Sequence, residues 1–211
     1  MILFWPGYVI FKPLAKYRFH LRATGTENIP KQGAYVVVSN HITRRDPAAI
    51  SIIMKRPVHY MAKKEAFDRK NSLLEYLMVN LFGAFPVDRG HPGPEAIHGA
   101  EAFIKKGECL GIFPETTRWP DEFLHPFAPG AAYFAWKLKT PILPIALTEE
   151  YHKDYVVTIG KPFDLPDLKG RPRDILPQLT ELIRSKVKEL LPPNWEYSDE
   201  TVPPWQEAER S

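Results

Sequence analysis

The run Tyr35-Val36-Val37-Val38 constrains this chain more than any other stretch. Consecutive β-branched residues without polar alternation read as a strand buried on both faces, which requires other elements packed above and below it. The rest of the chain supplies them. Helical stretches at Pro47–Lys55, Leu73–Phe82, Glu95–Lys105 and Ala131–Leu138 alternate with short apolar runs at Val58–Met61, Ala84–Val87, Leu110–Phe113, Ile142–Leu147 and Tyr155–Ile159. From Ile175 to Leu191 the apolar residues recur with a period near 3.6, as in a surface helix laid on a core. This alternation predicts an α/β fold, a single domain with a mixed and largely parallel sheet flanked by helices. The expected boundaries are an N-terminal segment over 1–24, the α/β domain over 25–191 and a Pro-rich C-terminal tail over 192–211, draped on the domain or poorly ordered.

Composition excludes several classes. Of 211 residues 44% are hydrophobic and 25% charged, a balance that supports a core and argues against disorder. The net charge of +3 and the lack of an Arg/Lys stripe with interleaved aromatics argue against nucleic acid as a partner, yet suit an anionic lipid or a phosphorylated substrate. With Cys109 as the only cysteine, neither an internal disulfide nor a Cys-cluster metal site can form. The 22 prolines fall mostly at element ends and in the loops after strands, where sites in such sheets lie.

The chain opens on an apolar run, Met1–Phe11, followed by Lys12, Lys16, Arg18 and Arg22. The run is too short to cross a hydrocarbon core, which takes about 20 helical residues, and it lacks the basic start and small-residue end of a signal peptide. Phe4, Trp5, Tyr8 and Phe11 beside a cationic flank fit an interfacial anchor. A first helix or strand packed on the protein's own core would read the same way.

The chemistry-bearing segment follows the first buried strand. In Ser39-Asn40-His41-Ile42-Thr43-Arg44-Arg45-Asp46-Pro47 a histidine and an aspartate share one strand-to-helix loop. A carboxylate on one imidazole nitrogen fixes the tautomer and stabilises the imidazolium, leaving the other nitrogen as a base. No nucleophile elbow accompanies the pair, so its natural use is to deprotonate a substrate hydroxyl. Asp46 before Pro47 also has a bland reading, a helix N-cap. Two later strands end in charge, Asp88-Arg89 and Glu115-Thr116-Thr117-Arg118. In a parallel sheet Arg89 and Arg118 would gather at the edge that carries His41, and their forked donors suit a phosphate monoester. Structural ion pairs, Asp88 with Arg89 and Glu115 with Arg118, are the alternative.

Taken in order, these segments resemble the lysophospholipid acyltransferase family, typified by 1-acyl-glycerol-3-phosphate acyltransferases. Asn40, His41 and Asp46 match its Asn-His-x4-Asp motif. Gly83 through Arg89 resembles its second motif, Phe113 through Trp119 its Phe-Pro-Glu-Gly-Thr-Arg-Ser motif, and Thr140 to Leu147 its Pro-flanked hydrophobic strand. Met61 to Glu65 is similar to the segment between the first two. The resemblance implies transfer of a fatty acyl group from acyl-CoA or acyl-carrier protein to a lysophospholipid hydroxyl, with lysophosphatidic acid as the foremost acceptor. It implies His41 as base, Asp46 as its partner, and Arg118, Arg89 and Lys63 on the acceptor phosphate, with Glu115 ordering an arginine or a glycerol hydroxyl and Thr116 at the acceptor. No cofactor and no metal are required, and the expected place is the cytoplasmic face of the cell membrane, peripheral or monotopic. Other acceptors (glycerol 3-phosphate, another lysophospholipid, a lyso-aminolipid) and a non-catalytic lipid-binding protein are the alternatives. The chain departs from the third motif at two positions, Thr116 for glycine and Trp119 for serine, which puts the acceptor pocket's shape in question.

Overall fold

In the computed structural model of the chain the described residues are 20–63, 67–68, 70, 84–87, 94–150 and 154–201. The Met1–Phe11 run, the helix expected at 73–82 and the Asp88-Arg89 pair lie outside them. The β-branched run forms β2 (Val36–Ser39), all of whose residues are buried. The other main strands are β1 (Leu21–Thr24), β3 (Val58–Lys63), β4 (Phe85–Val87), β5 (Cys109–Ile112), β7 (Ile142–Glu150) and β8 (Asp154–Ile159). They make one sheet in the order β1-β8-β7-β2-β5-β3-β4. Pairing is parallel throughout except between β7 and β8, so the sheet is mixed and largely parallel. Strand β1 lies ahead of the expected domain start at Gly25, paired with β8. A small ribbon of β6 (Phe123–Leu124) and β9 (Glu196–Tyr197) stands apart from the main sheet.

The helices are α1 (Asp46–Met54), α2 (Pro94–Lys105), α3 (Gly130–Leu138) and α4 (Pro172–Lys188). Helices α2, α3 and α4 contact one another in that order. Right-handed crossovers put α1, on the β2-to-β3 connection, on the opposite face, because that connection runs the other way across the sheet from β4-to-β5 and β5-to-β7. Adjacent strands β2 and β5 therefore send their chains to opposite faces. The crevice between the two departing loops is where open α/β sheets place their ligands.

Helix α4 buries Ile175, Leu179, Ile183 and Val187, the stripe read from the sequence. The C-terminal segment is fastened through its described part. Trp195 joins the core, and Arg184 donates to the carbonyls of Leu124 and Ser198, each at 2.7 Å. At the far end of β2, Arg56 donates to the carbonyls of Pro30, Gly33 and Gly107 and ties three loops together. Gly111 in β5 is required by its neighbour, since a Cβ there would stand 2.2 Å from the Tyr60 ring in β3. Among the described residues no helix is long and apolar enough to cross a membrane.

Candidate active site

Strand β2 ends at Ser39, paired with Ile145 of β7. The next residue, Asn40, continues the ladder with its side chain. Its Nδ2 donates to the Leu147 carbonyl at 2.9 Å and its Oδ1 accepts the Leu147 N–H at 2.8 Å. The amide thus imitates a peptide group and holds the start of the loop against β7. His41 follows directly, so its backbone is anchored before its ring is considered.

The ring is fixed from two sides. Its Nδ1 donates to Asp46 Oδ2 at 2.6 Å, and its face stacks on Phe113 with centroids 4.3 Å apart. The His41 side chain is 14% exposed, and among the described residues Nε2 has no partner. Asp46 is 0% exposed and surrounded by donors. Oδ2 also accepts the Ile42 N–H at 2.7 Å, while Oδ1 accepts the Thr43 N–H at 3.0 Å, the Thr43 hydroxyl at 2.8 Å and the Tyr155 hydroxyl. With every other neighbour donating, the carboxylate acts as acceptor only. The proton between it and the imidazole therefore sits on Nδ1, and Nε2 carries the free lone pair.

This arrangement separates the two sequence readings of Asp46. Helix α1 begins at Asp46 itself, its cap position is Arg45, and no side chain caps it. The carboxylate turns back onto the loop and leaves the helix's own N–H groups alone. Its place at the positive end of α1 still favours negative charge.

The loop after β5 closes onto the same histidine. Glu115 Oε2 accepts the His41 N–H at 2.6 Å, Glu115 Oε1 accepts the His125 N–H at 3.0 Å, and the Trp119 N–H donates to the His41 carbonyl at 2.8 Å. Glu115 was expected to order an arginine or a glycerol hydroxyl, but it is 4% exposed and both its oxygens are occupied by backbone. It is a clasp between two loops. Burial pushes its carboxyl up to about 8, against the His41 and His125 N–H groups, which pull it down. Trp119 does not line an acceptor pocket either. It is buried and stacked on the His125 ring at 3.5 Å, and that ring in turn faces the Asp121 carboxylate.

Thr116 is exposed at the turn between Glu115 and Arg118, with φ of 62°. A glycine takes that left-handed backbone freely, whereas a β-branched residue gives up roughly 1–2 kcal/mol. Arg118 is half-buried and adjacent to Trp119, the residue whose N–H holds His41. Lys63 ends β3 in register with Val87 of β4, and Arg89 lies outside the described residues. The structure thus brings His41, Asp46, Glu115, Thr116 and Arg118 together at the β2–β5 crevice. Among the described residues no group of three or more His, Cys, Asp or Glu side chains could hold a metal ion.

Sequence reasoning missed Tyr155. It starts an apolar run that reads only as a strand. Its role arises because β7 overshoots β2, so that its antiparallel partner β8 begins above the His41 loop, with Tyr155 opposite Glu149.

Residues 20–148 match the family model described as Acyltransferase. Over 190 residues the chain is 32% identical to the 1-acyl-sn-glycerol-3-phosphate acyltransferase of Bacillus subtilis, covering 85% of this chain and 92% of that protein. Over 130 residues it is 32% identical to the enzyme of the same name from Borreliella burgdorferi, covering 59% and 49%. Its fold is similar to that of the crystal structure of the 1-acyl-sn-glycerophosphate acyltransferase from Thermotoga maritima, with a TM-score of 0.62 at 21% identity, over 87% of this chain and 78% of that one.

The burial of Glu115 predicts a pH dependence of stability. Its folded-state pKa is raised, so its contribution is fully present below the ordinary glutamate range and is lost as pH rises toward about 8. Thermal melts of the wild type and Glu115→Gln between pH 5 and 8 should show the wild type losing ground to the variant with rising pH. A constant difference across that window contradicts the assignment.

Proposed function

This chain belongs to the acyltransferase family, and on that premise we propose that it esterifies the free hydroxyl of a lysophospholipid with a fatty acyl group from a thioester. Lysophosphatidic acid is the foremost acceptor, giving phosphatidic acid, and the donor is acyl-CoA or acyl-carrier protein. The relatives' names support the acceptor. The observation that carries the reading is the buried Asp46 carboxylate on His41 Nδ1, which leaves Nε2 open at the mouth of the crevice.

His41 Nε2 takes the proton of the acceptor hydroxyl as its oxygen attacks the thioester carbonyl carbon. The imidazolium so formed lies 2.6 Å from the Asp46 carboxylate, which stabilises it. Collapse of the tetrahedral adduct breaks the C–S bond, and the proton on Nε2 passes to the departing thiolate. The products are an ester and a thiol, and His41 is again neutral. Arg118, with Arg89 and Lys63, holds the acceptor phosphate by charge-assisted hydrogen bonds. Thr116, on the same turn, contacts the acceptor and narrows the space that a glycine would leave open.

Thiol release, followed with lysophosphatidic acid, other lysophospholipids and glycerol 3-phosphate as acceptors, tests these roles together. His41→Ala should lower turnover at least about 10²–10⁴-fold, the scale of a general base, and Asp46→Asn should do so by a similar factor. Arg118→Ala should raise the KM for the phosphorylated acceptor by about 10–100-fold, the equivalent of a lost charged hydrogen bond. Normal turnover in His41→Ala removes the base, and an unchanged KM in Arg118→Ala moves the phosphate site elsewhere.

Both substrates carry long acyl chains, so the crevice must meet a lipid surface. Strand β1 begins at Leu21, opposite Tyr155, so the chain enters the sheet at the end that carries the crevice. The aromatic and basic residues before it are the membrane-interface segment in this reading, and the protein is peripheral. Flotation with anionic vesicles should show binding that weakens with salt and on deletion of Met1–Phe11. Binding indifferent to both would place the lipid contact elsewhere.

A further inference from the structure

We propose that Tyr155 is a positioning residue for acyl transfer, its hydroxyl holding the Asp46 carboxylate in the orientation that aims His41. The inference rests on the reading of His41 as the base. Among the described residues, the other donors to Asp46 are His41, Ile42 and Thr43, all from one loop. Tyr155 is the donor that comes from outside that loop, across the sheet, from the second residue of β8.

The two carboxylate oxygens have different duties. Oδ2 takes the His41 Nδ1 and the Ile42 N–H, whereas Oδ1 takes the Thr43 and Tyr155 hydroxyls. A partial rotation about the Cβ–Cγ bond would swing Oδ2 out of line with the imidazole Nδ1 and Oδ1 away from the two hydroxyls. The loop's own donors move with the loop and cannot prevent a concerted shift. Tyr155 can, because its ring is 1% exposed in the core and its backbone is registered between β1 and β7. Its phenol remains a donor, since burial first, and then the neighbouring Asp46 charge, hold it well above the usual tyrosine range. Asn40 fixes where the His41 backbone starts, and Tyr155 fixes where its partner points.

Tyr155→Phe keeps the ring and removes the hydroxyl. Because it acts through Asp46, it should lower kcat about 10–100-fold, the scale of a misplaced catalytic group, with both KM values within about twofold of wild type. In the Asp46→Asn background the same substitution should cause less than about a threefold further loss, because its target is already altered. A kcat within about twofold of wild type overturns the proposal. So does a loss that multiplies in full with that of Asp46→Asn, which is the behaviour of general destabilisation; a cooperative thermal melt of each variant is recorded beside the kinetics. His41→Ala in the same series keeps the two readings apart. If His41→Ala turns over normally, the base assignment fails and takes this proposal with it. If His41→Ala is inactive and Tyr155→Phe is normal, only the role of Tyr155 fails.

Discussion

A carboxylate with no exposed surface is tolerable only where donors replace the water it has lost. Asp46 meets that condition through the loop that surrounds it, so the loop's shape and the carboxylate's charge depend on each other. The Ile42 and Thr43 amides curl around Asp46, and that curl throws the His41 ring onto Oδ2 and against Phe113. An apolar side chain at position 46 would leave these donors buried and unanswered. The geometry of the site and the local fold of residues 40–46 are in this sense one structure.

The sheet's topology makes the loop useful. Strands β2 and β5 are neighbours whose chains leave toward opposite faces, so a crevice opens between them. Glu115 and Trp119 then bind the two crevice walls together through the backbone of His41 itself. The base is held through its peptide by the loop after β5, and through its ring by Asp46 on one side and Phe113 on the other. Such double anchoring leaves little freedom at Nε2, which is the requirement for a proton acceptor placed at a reacting hydroxyl.

The fold was largely legible in the sequence because buried parallel strands need unbroken apolar runs, and Tyr35–Val38, Leu110–Phe113 and Ile142–Leu147 are such runs. Strand β1 was not, since Leu21–Thr24 carries polar residues at an edge and its pairing with β8 is entirely long-range. The His41–Asp46 pair was legible because both residues share one loop. The duty of Glu115 was not legible. A charged residue beside Arg118 invites a surface reading, and only the approach of the His41 loop shows that its oxygens face backbone N–H groups. Trp119 carried the same ambiguity, resolved by the buried His125 ring against which it lies. Tyr155 left no signal, because what matters is how far β7 outruns β2, a length set by pairing across the sheet.

Every chemical role assigned here descends from a single proton location. At a pH where the imidazole is neutral, nitrogen-resolved NMR of the ring, with the His41 signals identified by their loss in His41→Gln, reports which nitrogen carries hydrogen. The expected result is a protonated Nδ1 and a bare Nε2. Finding the hydrogen on Nε2, with Nδ1 bare beside Asp46, would contradict it.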